Sequence, residues 1–403
     1  MEKIEQRLYF VSFLLAISAI VLTLMMTSRQ RELFYFSFYI AMIGLFVERK
    51  NIRLPKMDIS YAIILIGLVK IIWTLVLYRH MPDYGLAGPQ LDSGKKLIVG
   101  GVLVFYLNYF SHYLTTFNYR QYLLTGFALA FVLATGYGIY QVYHSIERID
   151  FSTNRATVAA YIYSTLSILL VYLLIKLKKN TSYYVAAAAV IIISFLIVIM
   201  TGTRAAVLAH LFLMLLMILF HFRRIHLKPI LIVLVLLGLV GMATYSKYIK
   251  PKIEQTSEEI MLYQKGDDLS SLGSRFSLWK VGFDIFLQHP FGNTVEARYA
   301  QAAEIIAKAP QNKTALTYIN VHLHDELLEA ASLQGVVGLL TVFFFYGYIT
   351  MKSLVDKNTP LLMIGCCMIV YGLTDVLLTS PESVIFYLVC IALFKKQIST
   401  KNC

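Results

Sequence analysis

The sequence predicts an all-α polytopic membrane protein with about twelve transmembrane helices and one large loop. Three observations support this fold class. Of the 403 residues, 58% are hydrophobic and 15% are charged, whereas soluble domains carry about 25% charged residues. The apolar residues form separate runs of roughly 15 to 26 residues, most of them long enough to span a bilayer. A single long polar stretch, from Tyr245 to Val321, interrupts this pattern.

Each apolar run is expected to be a helix, because a backbone polar group in hydrocarbon needs a partner within its own segment. The first run has no small-residue cleavage site, which indicates an uncleaved span rather than a signal peptide. The second, fourth and twelfth runs are the shortest. The twelve runs are 8–26, 32–47, 58–78, 97–111, 121–140, 156–175, 183–200, 204–222, 229–245, 325–350, 359–377 and 380–395.

The placement of lysine and arginine predicts the orientation of these spans. If the N-terminus lies inside, the inner segments hold 18 of the 36 Lys and Arg residues. The short outer segments hold 8, the long loop holds 9, and Lys70 lies within a span. Long loops escape the positive-inside rule, so the comparison that decides is 18 against 8. Both termini are therefore predicted inside, and the loop of residues 246–321, between spans 9 and 10, outside.

The composition narrows the functional classes. The formal charge of +13 partly reflects the topology and does not indicate nucleic-acid binding, although the basic outer face would suit an anionic partner. None of the four cysteines lies in the outer loop, so a disulfide framework is not predicted. Without a linker, low-complexity tract or repeat, residues 1–403 are predicted to form one integral membrane domain.

The outer loop contains its own predicted helices. Ile253–Gln264 is polar and partly amphipathic, and the Gly-, Asp- and Ser-rich segment after it favours a turn. Arg275–Leu287 has apolar positions typical of a helix that lies along a membrane face. Val295–Ala309 is a further helix candidate. Surface helices of this kind would form a lid over a cavity that opens outward.

Two arginine motifs are candidates for binding an anion. Arg204 begins the eighth span within Thr-Gly-Thr-Arg, and Arg275 lies in the outer loop. Guanidinium suits phosphate because its planar fork offers several donors and keeps its charge. The simpler alternatives are a snorkelling arginine at the interface and an ordinary loop arginine. Arg148 and Arg155, also on the outer side, would extend the basic surface.

The most specific motif is His324-Asp325, followed by Gly335 and Gly338. If the segment is helical, His324 and Gly335 are close to three whole turns apart, about 1100°, and share a face. His324 would then lie in the first turn, where the helix dipole favours a neutral ring. Alternatively, His322 and His324 are polar residues at the level of the lipid headgroups and have no role in catalysis or binding. Metal binding fits poorly, because histidines two residues apart are not a helical ligand pair.

Asp375 lies in an otherwise apolar predicted span. Such a residue is either satisfied within the helix packing or part of a polar cavity. The sequence leaves both alternatives open.

This pattern resembles the O-antigen ligase family, whose members are membrane glycosyltransferases of a GT-C-like helical fold. The family usually has Asn, Ser or Gln after the histidine, where this chain has Asp325. The resemblance includes the topology of twelve spans with both ends inside. Its motifs are Arg204-x3-Leu208 at the start of an outer-facing span, the outer loop with Arg275, and His324-x10-Gly335-x2-Gly338.

The resemblance implies an activity at the periplasmic side of the bacterial inner membrane. Such enzymes transfer O-antigen polysaccharide from undecaprenyl diphosphate to a sugar of the lipid A-core, without nucleotide, cofactor or metal. Arg204 and Arg275 would hold the diphosphate, and His324 would act as general base, a role that suits an unperturbed pKa near roughly 6.5. Direct attack would invert the anomeric centre. The possible supporting residues are His322, Asp325, Arg155, Arg148 and Asp375.

Two alternative functions stay open. An O-antigen polymerase would use the same donor with a growing lipid-linked chain as acceptor, and the histidine motif favours the ligase over it. A transporter or flippase of lipid-linked anionic glycans would also use many spans and buried arginines. The chain lacks the paired interrupted spans that indicate alternating access, which argues against a transporter.

Overall fold

A computed structural model of the chain describes residues 2–144, 148–177, 180–221, 235, 238, 241–242 and 244–394. The regular secondary structure of these residues is entirely helical, which confirms the all-α class. The α-helices in chain order are α1 (Glu2–Leu22), α2 (Thr27–Glu48), α3 (Ile59–Leu77), α4 (Gly88–Tyr109), α5 (Tyr119–Tyr143), α6 (Ala156–Leu177), α7 (Thr181–Met200), α8 (Arg204–His221), α9 (Lys250–Gln264), α10 (Ser271–Gln288), α11 (Val295–Lys308), α12 (Ala315–Tyr318), α13 (Glu326–Val355), α14 (Thr359–Gly372) and α15 (Pro381–Phe394).

Among the described residues, six helices are long and apolar enough to cross a membrane, namely α1, α3, α5, α6, α7 and α13. Within the described ranges, α8, α14 and α15 are also apolar but shorter. Helices α2 and α4 are each 22 residues long but more polar. The predicted run 229–245 falls almost entirely outside the described residues. The chain is therefore a multi-helix membrane protein, and the full count of twelve spans stays a prediction.

Helix α6 lies at the centre of the bundle. Its apolar window is buried along its whole length, and it packs against α5, α7, α8, α14 and α15. Two of its hydroxyls are satisfied within the helix, since Thr165 donates to the carbonyl of Tyr161 and Ser167 to that of Tyr163. A polar hydroxyl can therefore be buried in this helix at little cost.

Hydrogen bonds join the connections that are predicted on the outer face. The amide of Ser152 donates to the carbonyl of Leu24, and the amide of Ile149 to that of Met200. Tyr78, which follows α3, donates to the carboxylate of Glu296 in α11 over 2.8 Å. The polar loop and the connections after α1, α3, α5 and α7 thus meet at one end of the bundle.

The loop contains the predicted helices as α9, α10 and α11, but their packing differs from the expectation. Leu278, Val281 and Ile285 of α10 are fully buried in a small apolar cluster that includes Ala302 of α11 and Leu323. This face of α10 therefore packs within the protein rather than along a membrane surface. The helices are held to the bundle end by their own core.

Two expectations about helix bounds are wrong. The segment at His324 is not helical: its φ is +54°, and α13 begins only at Glu326, with Asp325 as N-cap residue. Gly335, with φ of +67° and ψ of −155°, interrupts α13, so the argument that His324 and Gly335 share a helical face fails. The predicted span 359–377 is too long, because α14 ends at Gly372.

Candidate active site

Two connections bring predicted site residues together at this end of the bundle. The turn before α13 carries His322 and His324, and the connection between α14 and α15 carries Asp375. Nε2 of His322 and Nδ1 of His324 each lie 3.8 Å from Oδ1 of Asp375. We call these three residues the His–Asp cluster. Asp375 therefore lies, fully buried, among polar side chains of distant segments, and its part in a polar cavity stays a prediction.

Asp375 is fixed by several donors. The hydroxyl of Thr157 donates to Oδ2 over 3.2 Å, and the amide of Val376 donates to Oδ1 over 2.9 Å. Nη2 of Arg155 lies 3.5 Å from Oδ1, while Nη1 donates to the hydroxyl of Ser380 over 2.8 Å. A carboxylate that is buried and held in this way keeps a defined direction toward the histidines.

His324 has an unusual hydrogen-bonding state. Its backbone amide donates to Nδ1 of His322 over 3.2 Å, and the two rings lie edge to face with centroids 4.1 Å apart. Nδ1 of His324 is buried and has no hydrogen-bond partner among the described residues. A side chain of this kind usually finds a partner, and the nearest acidic group is the carboxylate of Asp375 at 3.8 Å. A small movement would convert this approach into a hydrogen bond.

The ring of His324 is kept neutral by burial and by its neighbours. Desolvation, His322 and the positive charges of Arg275 and Arg155 lower the pKa of His324 from 6.5 to about 3, against the opposite effect of Asp375. The expected unperturbed pKa is therefore wrong. The lowered pKa favours the expected neutral ring, but burial, and not the helix dipole, is the main cause of the shift.

Arg204 contacts the loop. Its Nη2 lies 2.8 Å from Oε2 of Glu259, and its Nη1 donates to the hydroxyl of Thr256 over 2.7 Å. The buried carboxylate of Glu259 also accepts the amide of Leu272 at the start of α10 over 3.2 Å. Arg204 thus ties the start of α8 to α9 and α10. Its predicted contact with a diphosphate stays a prediction.

The Thr-Gly-Thr segment before Arg204 binds the guanidinium of Arg148. Nε of Arg148 donates to the carbonyl of Thr201 over 2.9 Å, and Nη2 donates to the hydroxyl of Thr203 over 3.2 Å. Gly202, with φ of +64°, allows this approach, since a Cβ there would lie 3.2 Å from Nε of Arg148. The sequence motif therefore accommodates a neighbouring arginine.

Arg275 links the arginines to the His–Asp cluster. Burial and the charges of Arg275 and Arg204 lower the pKa of Arg148, and the charge of Arg275 also acts on His324. Arg275 takes part in none of the ion pairs found within the described ranges. Positive charge from Arg155 and Arg275, which lie on two different chain segments, thus acts at His324, where an anion would be stabilised.

Sequence reasoning missed a buried charged clamp, which consists of Lys70, Arg298, Glu326 and Glu329. On one side Arg298, fully buried, lies 3.0 Å from Oε2 of Glu329 and donates to the carbonyl of Ile319. The same oxygen of Glu329 accepts the amide of Leu323 over 2.9 Å. This half of the clamp fixes the turn that carries the two histidines.

The other half of the clamp fixes the connection that carries Asp375. Nζ of Lys70 donates to the carbonyl of Leu378 over 2.9 Å and to the hydroxyl of Thr379 over 2.8 Å. Oε2 of Glu326 accepts the amide of Leu378 over 2.7 Å. Because both glutamates lie in the first turn of α13, this turn holds the two parts of the His–Asp cluster in one arrangement. A lysine within one predicted span and two glutamates at the start of another were the available signals in the sequence.

The His–Asp cluster also has the composition of a metal site, since its ligand atoms lie within 4.8 Å of one another. The spacing of the histidines gave no sign of this, because the third ligand comes from a distant segment. However, Nη2 of Arg155 lies 3.2 Å from Nε2 of His322 and 3.5 Å from Oδ1 of Asp375. A fixed guanidinium at the ligand atoms opposes the binding of a cation.

Comparison with known proteins agrees with the motifs. A family model described as O-antigen ligase matches residues 188–343, a region that includes Arg204, Arg275 and His324. The O-antigen ligase of Escherichia coli (strain K12) is 24% identical over 363 residues, which cover 88% of this chain and 85% of that protein. These matches confirm the resemblance that the sequence indicated.

Proposed function

Since the chain is similar to the O-antigen ligases along most of its length, we propose that it is a membrane glycosyltransferase of that kind. It transfers an O-antigen polysaccharide from undecaprenyl diphosphate to a sugar hydroxyl of the lipid A-core. The reaction takes place at the periplasmic side of the inner membrane, with both termini in the cytoplasm. The single observation that carries this proposal is the approach of His324 to Asp375 within reach of the charge of Arg275.

The proposed reaction is a direct displacement. The acceptor hydroxyl oxygen attacks the anomeric carbon of the donor sugar, a new glycosidic bond forms, and the bond to the diphosphate oxygen breaks. The lipid diphosphate leaves with the bonding electrons, and Nε2 of His324 takes the hydroxyl proton. One displacement inverts the anomeric configuration. A positioned base of this kind contributes roughly 10²- to 10⁴-fold to a rate.

Asp375 supports the base in this mechanism. The neutral ring carries its proton on Nδ1, which lies 3.8 Å from the carboxylate of Asp375. When Nε2 takes the hydroxyl proton, the ring becomes an imidazolium beside this carboxylate. The carboxylate then orients the ring and stabilises its charge, as in other carboxylate–histidine pairs. The low pKa of free His324 rises when an anionic donor offsets the positive charge of Arg275 and Arg155.

The arginines bind the donor. Arg275, which has no ion-pair partner within the described ranges, holds the diphosphate and stabilises the charge that develops on it as the bond breaks. Arg148 and Arg155 contribute a positive field beside it. Arg204 contacts the diphosphate only if its ion pair with Glu259 opens, so we assign it a second role in holding the lid helices.

The test is transfer in vitro from purified undecaprenyl-diphosphate glycan to lipid A-core, with EDTA present. Wild type should transfer glycan, His324→Ala should bind donor but transfer it far more slowly, and Arg275→Ala should require a higher donor concentration. Lys280→Ala, an exposed position on α10, is the matched control and should behave as wild type. Loss of transfer in EDTA, restored by a divalent cation, would contradict a mechanism without metal.

The same system separates the alternative functions. Extension of the lipid-linked glycan in the absence of lipid A-core would identify a polymerase. Movement of donor across a proteoliposome membrane, with transfer undetectable, would identify a transporter. Unchanged transfer by His324→Ala would remove the proposed base.

A further inference from the structure

The two tryptophans of the chain differ in their hydrogen bonding. Nε1 of Trp73 donates to the carbonyl of Asn293 over 3.2 Å. Nε1 of Trp279 is buried and has no acceptor within the part of the chain that the structure describes. A buried indole N–H normally has a partner, because burying a donor without one is unfavourable. Trp279 therefore holds an unused donor in the folded protein.

Trp279 lies between two residues that face the candidate site. Arg275, Trp279 and Gly282 are spaced i, i+4 and i+7 on α10, so they form one stripe on the helix. Gly282 touches Leu323, the residue between the two histidines, since a Cβ on Gly282 would overlap Leu323 Cδ1. At the other end of the stripe, the charge of Arg275 acts on His324. The stripe thus runs along the histidine turn.

The indole is held in place by its neighbours on the loop. The rings of Phe276 and Trp279 meet edge to face with centroids 5.8 Å apart, and Phe276 in turn contacts Tyr263 of α9 with centroids 5.2 Å apart. A ring fixed by such contacts loses little side-chain entropy on binding a ligand. Its N–H is a donor without a partner among the described residues, on the same helix as Arg275 and about one turn further on.

We propose that Nε1–H of Trp279 donates a hydrogen bond to an oxygen of the lipid-linked sugar diphosphate, one helical turn beyond the Arg275 contact. This inference rests on the proposed function for the identity of the ligand. Trp279 is then a donor-binding residue and takes no part in proton transfer. Its removal changes the affinity for the donor and leaves the chemical step intact.

The presence of two tryptophans makes a direct test possible. Trp73→Phe leaves Trp279 as the sole tryptophan, and Trp279→Phe leaves Trp73. Both variants in detergent are titrated with undecaprenyl-diphosphate glycan, undecaprenyl diphosphate and inorganic pyrophosphate while indole emission is recorded. Emission should shift in Trp73→Phe and stay constant in Trp279→Phe. A response to pyrophosphate identifies a phosphate oxygen as the acceptor, and a response to the glycan-bearing donor alone identifies a sugar oxygen.

Kinetics provide the second measurement. Trp279→Phe keeps the aromatic ring and removes the N–H, so the donor KM should rise about 2- to 10-fold, the usual worth of one hydrogen bond, with little change in kcat. Trp73→Phe should leave the donor KM unchanged. An unchanged donor KM in Trp279→Phe, or constant emission from Trp279 with every donor form, would overturn the inference. If wild type binds donor with the emission shift but transfers no glycan, the proposed function fails and the Trp279 contact stands.

Discussion

Gly292 and Gly335 meet backbone to backbone, and both have positive φ, +97° and +67°. A Cβ on Gly335 would lie 2.7 Å from the amide nitrogen of Gly292. The amide of Val336 donates to the carbonyl of Pro290 over 2.8 Å, and the amide of Asn293 to that of Leu333 over 2.9 Å. The turn between α10 and α11 therefore packs on the break in α13, which fixes this end of the loop helices.

Gly335→Ala should destabilise this docking. The left-handed backbone costs a residue with a side chain about 1–3 kcal/mol, and the added Cβ would collide with the turn. We expect a lower thermal midpoint and reduced transfer. Gly347→Ala is the matched control on the same helix, because a Cβ at Gly347 meets nothing within 4 Å. Equal behaviour of the two variants would argue against the docking role.

Asp375→Asn should lower kcat while donor binding remains. The amide retains the shape of the side chain but cannot stabilise an imidazolium, so the proton transfer through His324 loses support. His324→Ala should cost more, roughly 10²- to 10⁴-fold. The double variant should be no worse than His324→Ala, as measured by single-turnover transfer. Additive losses would show that Asp375 acts independently of His324.

Arg204→Ala and Arg275→Ala should differ in stability. Removal of Arg204 leaves the buried carboxylate of Glu259 unpaired, at a cost of about 1–3 kcal/mol, less than for a fully enclosed pair because Arg204 is partly exposed. Adding Glu259→Gln should restore much of the thermal midpoint. Arg275→Ala should change stability little and raise the donor KM. A stability loss of equal size in Arg275→Ala would contradict this division of roles.

Arg298→Met tests the charged clamp. It leaves Glu329 buried without its cation, and breaking such a pair costs about 3–5 kcal/mol. The double variant Arg298→Met/Glu329→Met should regain stability but not transfer, because the amide of Leu323 still lacks its acceptor. Thermal unfolding and transfer are measured on the same preparations. Full recovery of transfer in the double variant would show that the clamp stabilises the fold but is not needed to position the histidine turn.

Because the pKa of His324 is lowered, we expect the enzyme to keep its activity in mildly acid solution. The base form persists as the pH falls through 6.5, so kcat/KM should stay level between about pH 8 and pH 6 and decline only in more acid solution. Arg275→Gln removes a charge that lowers the pKa of His324, and should move this decline to higher pH. An acid limb centred near pH 6.5 in wild type would contradict the buried, neutral ring.

Much of the fold follows from local patterns. Apolar runs predicted the helices, because span length and backbone satisfaction in hydrocarbon depend on neighbouring residues alone. The loop helices were predicted within a few residues at Ile253–Gln264 and Val295–Ala309. The prediction of a helix at His324 was wrong because His324 has a positive φ and Asp325 caps the helix that follows. The interruption at Gly335 was missed because it depends on backbone contacts with the distant turn at Gly292.

The sequence by itself determined the all-α membrane class, the position of the polar loop and the residue types that suit an anion and a base. Only the tertiary structure decided their partners: Asp375 beside His324, Glu259 on Arg204, and the clamp beneath the histidine turn. The physical reason is that composition and periodicity are properties of neighbouring residues, whereas buried charges must be paired wherever the fold brings them. The partners come from segments far apart in the chain, as with Lys70, which donates to the carbonyl of Leu378.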